Sequence, residues 1–373
     1  MPRPKVRALL VLVAALVLCT GRPRAADTLP DSIADDAFWM LIDSMSEPSG
    51  VFQSENFLSN ESGFQSVIPR LLQATEPGGV YLGVGPEQNF TYIAAIRPKI
   101  VFIVDIRRQN MVEHLIYKAI FEMSDNRADF LSRLFARKRP AGLTATSTVD
   151  ELFAAFDAAP TDDDAFGSTL QEIKDLLLRK HGFGLTPVDV FNLERVYRVF
   201  HNFGPDINYN SGARRGGGMP TYADLMTATD LRGEQRSYLS SEERFLVVRD
   251  LETRNVIVPL TGDFGGNKAL RAVGQYLKDH GATVTAFYLS NVERYLFQSN
   301  GANRNGGWTN FYQNVALLPL DRTSAFIRSG GGGVPAGLGG MRLPNMLASM
   351  QETLDGVREG RIATYNDVLS ISR

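Results

Sequence analysis

Two glycines and an acid near the start of the chain have the spacing of a nucleotide-binding turn. Gly83 and Gly85 follow an apolar run that begins at Val80, and Asp105 ends the next apolar run. Glycines let the chain turn sharply after a strand and bring its N–H groups close to a ligand. A carboxylate about twenty residues later can accept hydrogen bonds from both hydroxyls of a ribose. We therefore expect a cofactor or nucleoside to bind at these three residues.

Glu87 and Asn89 lie in the same turn and complete the predicted cofactor-binding set. Asn89 stands where a third glycine is usual, so its side chain either crowds a ligand or gives it a hydrogen bond. Other interpretations stay open. A protein without a ligand can use the same glycine turn between a strand and a helix, and Asp105 is also suited to cap the helix that follows it.

A second candidate set lies in the segment TGDFGGNK, residues 261 to 268, between an apolar run and a helical one. The carboxylate of Asp263 can accept a proton from a substrate nucleophile or a hydrogen bond from an amine, and Phe264 is next to it. We expect Asp263 to be catalytic if the protein is an enzyme. Capping of the following helix is the alternative role of Asp263.

Other residue types that often do chemistry show no catalytic pattern. Arg214 and Arg215 precede three glycines and can close over an anion or simply be solvated. His181 and His201 lie at predicted helix ends, and we interpret them as structural. The chain has no Gly-x-Ser-x-Gly elbow, no His-Glu-x-x-His pair and no phosphate-binding loop ending in Gly-Lys-Ser/Thr, and the histidine spacing predicts no metal site.

The elements that must position these residues are typical of an α/β fold. Strands are predicted from about Val80 to Val84 and from Ile100 to Asp105, with a helix between them, and both are continuous apolar runs, as in parallel strands covered on two faces. Strand VIVPLTGDF, helix KALRAVGQYLKDH and strand TVTAFYLS form a second, right-handed βαβ unit. Because parallel strands end at one edge of a sheet, both candidate sets are expected to meet there.

Between the two βαβ units the periodicity is helical, so the sheet is interrupted by a helical insertion. The two apolar runs NVALLPL and SAFIRS are close enough to form an antiparallel hairpin. The predicted units are a signal peptide over 1–21, N-terminal helices and the first βαβ half over 27–109, the helical insertion over 110–255 with a lid loop rich in Gly, Asn and Pro at 202–220, the second βαβ half and hairpin over 256–329, and a Gly-rich link with a last helix, about 343–357, over 330–373.

The segment from the glycine turn to Asp105 resembles motifs one and two of class I S-adenosylmethionine-dependent methyltransferases. The half that begins at Val256 resembles that family's fourth and fifth strands, and the predicted hairpin resembles its sixth and seventh. The resemblance implies a Rossmann-like, methyltransferase-type sheet that is mostly parallel with a C-terminal antiparallel hairpin. It also implies S-adenosylmethionine as the cofactor, and it places Asp263 and Phe264 at the fourth motif, beside the transferred methyl group.

The N-terminus has the pattern of an export signal. Three basic residues precede an apolar run from Ala8 to Cys19, which is short for a membrane-spanning helix. We predict cleavage between residues 21 and 26 and a periplasmic or extracellular protein. Lipidation of Cys19 is the less favoured alternative, because Leu18 stands where a small residue is usual. A lipid anchor or the signal peptide is then the only predicted contact with a membrane.

Composition removes several classes of protein. Cys19 is the only cysteine in the 373 residues, so disulfides, cysteine-ligated zinc and thiol catalysis are excluded from a processed chain. The formal net charge is −2 and no long basic run is present, so nucleic acid is not an expected partner.

Two functional hypotheses remain. The first is an exported methyltransferase-like enzyme that binds S-adenosylmethionine or a related nucleoside at the edge of its sheet. The second is a non-catalytic periplasmic or surface module that keeps the fold and binds another small molecule, or a protein partner through the helical insertion. Asn89 in place of a glycine and the lack of an Asp-Pro-Pro-Tyr motif favour the second hypothesis.

Overall fold

A six-stranded, mostly parallel sheet forms the centre of the protein in this computed structural model, which describes residues 26–211, 219–298, 307–329 and 345–372. The strands are β1 (Val80–Gly83), β2 (Ile100–Asp105), β3 (Ile257–Thr261), β4 (Val284–Ser290), β5 (Ala325–Ser329) and β6 (Asn345–Ser349). Their order is β3-β2-β1-β4-β5-β6. Strands β1 to β5 are parallel, and β6 is antiparallel to β5. The protein is therefore α/β, as predicted.

Every residue of β1, β2 and β3 is buried, as expected for strands with helices packed on both faces of the sheet. The helices are α1 (Asp35–Met45), α2 (Ile68–Ala74), α3 (Gln88–Ile96), α4 (Arg108–Met123), α5 (Arg127–Phe135), α6 (Val149–Asp157), α7 (Asp163–Lys174), α8 (Pro187–Phe203), α9 (Tyr222–Thr227), α10 (Glu242–Thr253), α11 (Ala269–Asp279), α12 (Val292–Gln298), α13 (Gly307–Val315), α14 (Met350–Arg358) and α15 (Tyr365–Ser370). None of the described helices is long and apolar enough to span a membrane.

The strand at Ile257–Thr261 differs from its predicted position. It pairs with β2 at the edge of the sheet, whereas β4 pairs with the other side of β1. The segment that the resemblance placed fourth, at the centre, is therefore third and at the edge. The apolar pattern of a strand does not specify which strand it pairs with. Here the pairing depends on how the long helical insertion between β2 and β3 packs.

The predicted hairpin is also wrong. Asn314 and Val315 end α13, and the rest of NVALLPL is a connection to β5, which runs parallel to β4. The antiparallel partner of β5 is β6, in a region predicted to be helical. The helix begins only at Met350, where the side chain of Ser349 caps it by accepting from the N–H of Glu352. Short apolar runs in strands and at helix ends look alike in sequence.

The helical insertion is present, and no strand interrupts its described residues, which contain only two isolated bridges. Its first helix, α4, packs against β2, β3, α8 and α10. Helix α4 therefore belongs to the layer that covers the sheet. The predicted lid loop includes residues 212–218, so Arg214 and Arg215 lie outside the described residues, as do the signal peptide and the link at 330–344.

The two histidines that the sequence predicts to be structural, His181 and His201, both contact carboxylates. The ring nitrogens of His181 lie 2.9 Å from Asp35 Oδ2 and 2.9 Å from Glu122 Oε2. Burial opposes the charged ring, but these two acids outweigh it and raise the pKa of His181. His201 Nε2 lies 2.9 Å from Asp163 Oδ1. Both rings therefore tie helices together.

Candidate functional site

A cavity of about 330 Å³ opens at the carboxyl ends of β1, β2, β3 and β4. Its walls come from the ends of these strands and from two loops. The strand ends contribute Gly85, Pro86 and Gln88 after β1, Asp105, Ile106 and Arg107 at β2, Gly262, Asp263 and Phe264 after β3, and Tyr288, Ser290, Asn291 and Val292 at β4. One loop contributes Val51, Phe52, Asn56, Ser59 and Asn60, and the other contributes Tyr209. The chain adds β2 and β3 on one side of β1 and then β4 and β5 on the other side, so the strand order reverses between β1 and β4. Open α/β sheets bind ligands at such a switch point.

The structure brings four of the predicted site residues to this cavity. Gly85, Asp105, Asp263 and Phe264 line it, so the two candidate sets do meet at one edge of the sheet. Three further residues were predicted to bind the cofactor but do not line the cavity: Gly83, Glu87 and Asn89.

Asp105 has one carboxylate oxygen held by the protein and one that makes no hydrogen bond to the described residues. Its Oδ1 accepts from the backbone N–H of Arg107 at 2.9 Å and from Arg107 Nε at 3.3 Å. Its Oδ2 makes no hydrogen bond to the described part of the chain, and the residue lines the cavity. Because helix α4 has Arg107 as its N-cap and no side-chain cap bond, Asp105 orders the turn before the helix and keeps an acceptor for a ligand.

Asn89 neither crowds the cavity nor reaches into it. Its Nδ2 donates to three consecutive backbone carbonyls, those of residues 84–86, at 3.0, 3.1 and 2.7 Å, and its Oδ1 accepts from Tyr81 OH. A Cβ atom on Gly83 would lie 2.0 Å from Asn89 Oδ1, whereas Gly85 is needed for its φ of +74°. Asn89 therefore stiffens the turn from behind, and Gly83 makes room for it.

A layer of buried, uncharged polar groups lies behind the turn. Burial raises the pKa of Glu87 to about 8 and raises that of Glu113, on α4, well above its usual range. Burial lowers the pKa of His114 to about 4, so its neutral ring donates from Nε2 to the carbonyl of Gly85 at 2.9 Å. Glu87 belongs to the predicted set, but Glu113 and His114 were not predicted, because polar residues on a helix such as α4 look like a solvated face in the sequence.

The turn after β3 is organised by an acid from another element. Glu47 accepts from the N–H groups of Lys268 at 2.9 Å and Ala269 at 2.8 Å, which begin α11. Asp263 Oδ1 instead accepts from the N–H of Gly265 at 2.9 Å, so the alternative role of Asp263 as the helix cap is taken by Glu47.

The ring of Phe264 belongs to the core. It stacks on Phe311 with ring centroids 5.6 Å apart and meets Phe287 edge-on at 5.2 Å. Aromatic contacts of this kind fix a side chain by packing, so Phe264 holds the β3 turn in place.

The outer wall of the cavity is a polar loop, residues 49–60, which we call the strap. Arg107 Nη1 donates to the carbonyls of Ser54, at 3.3 Å, and Glu55. Arg195, from α8, bonds the Glu55 carboxylate at 2.9 Å. No motif predicted this part of the site. The available signal was a turn-rich segment that carries several amide and hydroxyl side chains.

The sequence did not point to the end of β4, because the resemblance assigns the strand at Ile257–Thr261, and not β4, as the fourth. Ser290 lines the cavity with a φ of +51°, and its hydroxyl donates to the buried carboxylate of Glu61. Glu61 also accepts from Gln88 Nε2 at 3.1 Å and Asn345 Nδ2 at 2.9 Å. These residues come from four separate parts of the chain, and nothing local in the sequence links them.

The described residues contain no group of three or more His, Cys, Asp or Glu side chains positioned to hold a metal ion. The walls of the cavity carry both hydrogen-bonding groups and apolar side chains.

The fold and the cavity define an α/β protein with a small-molecule-sized site at the switch point of a mostly parallel sheet. A family described as a domain of unknown function (DUF7790) matches residues 56–337, and because this match covers most of the chain, the protein belongs to that family. No curated protein matches the chain. The matched region includes β1 to β5, the helical insertion and most residues that line the cavity.

Proposed function

We propose that the cavity binds a nucleoside-type small molecule, S-adenosylmethionine or a close relative, and that the sheet is of the Rossmann-like methyltransferase type. The strand order β3-β2-β1-β4-β5 followed by an antiparallel strand supports the proposal for the fold. The observation that carries the proposal for the ligand is Asp105, in the same cavity as Gly85, with one oxygen held by Arg107 and the other making no hydrogen bond to the described residues.

The order of the strands suggests how such a ligand lies. Asp105 ends β2, with Asp263 in the turn after the neighbouring strand β3 at one side and Gly85 in the turn after the neighbouring strand β1 at the other. With the ribose hydroxyls on Asp105, the base extends toward Asp263 and the remaining group extends past Gly85 toward Ser290 and Asn291. Asp263 then lies at the end of the cavity that binds the base, not beside the transferred group. Ser290 and Asn291 take the place beside a transferred methyl group.

Calorimetry on residues 27–373 tests this proposal with S-adenosylmethionine, S-adenosylhomocysteine and adenosine. We expect near-micromolar binding, about −8 kcal/mol, of at least one of the three. Asp105→Ala should weaken it by about 1–3 kcal/mol, because it removes hydrogen bonds to a charged acceptor. Asp164→Ala, which removes an exposed carboxylate on α7, is the matched control and should leave affinity unchanged.

Two results would count against the proposal. Unchanged affinity in Asp105→Ala would mean that Asp105 serves only to hold Arg107. No heat and no thermal stabilisation at millimolar ligand would favour the second candidate function, a non-catalytic module that binds a protein partner through the helical insertion. That candidate has one supporting observation, since Val188 and Phe191, on one side of α8, are 67% and 64% exposed.

We also propose that the protein is exported and works in the periplasm or outside the cell. The charged and apolar pattern of residues 1–21 supports this. Cleavage between residues 21 and 26 would keep the first contacts of the fold, since Asp27 bonds Lys99 Nζ at 2.7 Å and the N–H of Thr28 donates to His280 at 2.8 Å.

N-terminal sequencing of the native protein from fractionated cells is the test of export. We expect a start between Arg22 and Asp27, in the periplasmic or extracellular fraction. A lipid-modified N-terminus at Cys19 would instead support the anchored alternative. Full-length protein in the cytosol would refute export altogether.

A further inference from the structure

The backbone at the end of β4 has an uncommon conformation at a position that faces the cavity. Ser290 is the last residue of the strand, its φ is +51°, and α12 begins two residues later at Val292. Left-handed backbone is disfavoured for any residue with a side chain, and such residues concentrate where function needs them. A serine held this way between a strand and a helix has the local geometry of a nucleophile elbow, without the flanking glycines by which such elbows are found in sequences.

The hydroxyl of Ser290 has a base in direct contact. It donates to Oε1 of Glu61, whose side chain is fully buried at 1% exposure. The other carboxylate oxygen, Oε2, accepts from the side-chain amides of Gln88 at 3.1 Å and Asn345 at 2.9 Å. One oxygen is thus held by two amides while the other serves the serine. This is the arrangement of a nucleophile, a base and the groups that orient the base.

The surroundings of Ser290 favour proton transfer to Glu61 and stabilisation of a negatively charged oxygen in the transition state. Burial raises the pKa of Glu61 above its usual value, which makes its carboxylate a stronger proton acceptor. Asn291, the next residue after the serine, also lines the cavity, and its side-chain amide makes no hydrogen bond to the described part of the chain. An amide N–H in that place can stabilise a developing oxyanion.

Apolar side chains supply part of the wall around the serine. Val292 and Leu296 of α12 line the cavity, and so does Phe52 of the strap, which meets the ring of Tyr295 edge-on at 5.4 Å. These groups fit the acyl chain or aromatic part of an ester, which is uncharged and needs only one polar contact at its carbonyl.

We propose that Ser290 is a covalent nucleophile for a small carboxylic ester, with Glu61 as its general base and Asn291 as the oxyanion donor. Ser290 Oγ attacks the ester carbonyl carbon while its proton passes to Glu61 Oε1. The tetrahedral intermediate then collapses, the carbon–oxygen bond to the alcohol breaks, and the alcohol leaves with the proton from Glu61. Water adds to the acyl-serine with Glu61 as base, and the carboxylic acid leaves as the proton returns to Ser290 Oγ. This activity needs no cofactor, and the ester occupies the Ser290 end of the cavity in place of the transferred group of a nucleoside-type ligand.

A fluorophosphonate probe tests the proposal without knowledge of the natural ester. The probe reacts with an activated serine hydroxyl and loses fluoride, and the product is read by intact-protein mass spectrometry with peptide mapping. We expect one adduct, on Ser290, and none in Ser290→Ala. Glu61→Gln should slow labelling at least about 100-fold, the scale of a general base. Asn291→Ala should slow it about 100-fold, as for loss of an oxyanion donor.

The matched control is Ser324→Ala, which removes a buried hydroxyl at the opposite edge of the sheet, where it donates to the carbonyl of Val284. It should label like the wild type. Circular dichroism and thermal melting establish that each variant is folded. If Glu61→Gln does not fold, the pH profile of wild-type labelling replaces it and should rise through a single ionisation.

Three outcomes overturn the proposal. They are no adduct on the folded wild type, an adduct that persists in Ser290→Ala, and a labelling rate that does not depend on Glu61 or on pH. Turnover of 4-nitrophenyl butyrate with an initial burst, absent in Ser290→Ala, would support the complete cycle, because a burst reports an acyl-enzyme that accumulates.

Discussion

Replacing Glu293 by alanine is expected to lower the free energy of unfolding by about 3–5 kcal/mol, the largest single effect that the structure indicates. Glu293 on α12 and Arg328 on β5 form a bidentate ion pair at 2.6 and 3.0 Å, with side chains only 2% and 1% exposed. Truncation leaves the guanidinium buried without its partner charge, and an unpaired buried charge is far more costly than a lost surface contact. A loss of this size is a large share of the stability of an ordinary domain.

Urea denaturation at neutral pH measures this effect. The matched control is Glu359→Ala, because Glu359 pairs with Arg361 at the surface, where the two side chains are 58% and 56% exposed. That exposed pair should contribute less than about 1 kcal/mol. Equal, small losses in both variants would show that Glu293 and Arg328 do not form a buried pair. Because α12 follows Ser290 directly, the pair also anchors the β4 end of the cavity.

Replacing Gly83 by alanine is expected to cost about 3 kcal/mol, at the upper end of what overpacking of a core costs. The added Cβ would lie 2.0 Å from Asn89 Oδ1 and 2.9 Å from a ring carbon of Tyr81. Asn89 would have to move, and the carbonyls of residues 84–86 would lose their shared donor. We expect ligand affinity to fall with stability, because Gly85 is part of this turn.

A double-mutant cycle with Asn89→Ala tests the stated cause. If the clash with Asn89 is responsible, the double variant should be at least about 1 kcal/mol more stable than the sum of the single effects predicts. Gly167→Ala is the control, since Gly167 lies within α7 and a Cβ there would meet nothing within 4 Å. That change should stabilise the protein by up to about 1 kcal/mol. Strict additivity in the cycle would point to a different cause.

Part of the site was predictable because its signals are local. Gly85 and Asp105 were identified from an apolar run, a glycine turn and an acid, and both line the cavity. The apolar runs of β1 and β2 and the repeat of α3 between them each occupy only a few consecutive residues. Patterns of this length reflect the periods of strands and helices, which are properties of the chain itself.

Other site residues were not predictable, because each depends on distant partners. Glu61 and Asn345 are far apart in the chain, yet both bond in one network with Gln88 at the cavity. Arg107 was visible only as a basic residue after a strand, although it holds both Asp105 and the strap. Asn89 was correctly placed in the turn, but its direction, away from the ligand space, depends on Tyr81 and on the turn carbonyls behind it.

The sequence by itself determined the α/β class, the two βαβ units, the helical insertion and the convergence of Asp105 and Asp263 on one edge of the sheet. Only the tertiary structure decided that Ile257–Thr261 lies at the edge beside β2 and that Val284–Ser290 lies at the centre beside β1. Apolar periodicity reports that a strand is buried, and every buried parallel strand has the same pattern. Which strand it pairs with depends on how the whole helical insertion packs, and that order decides which side chains line the cavity.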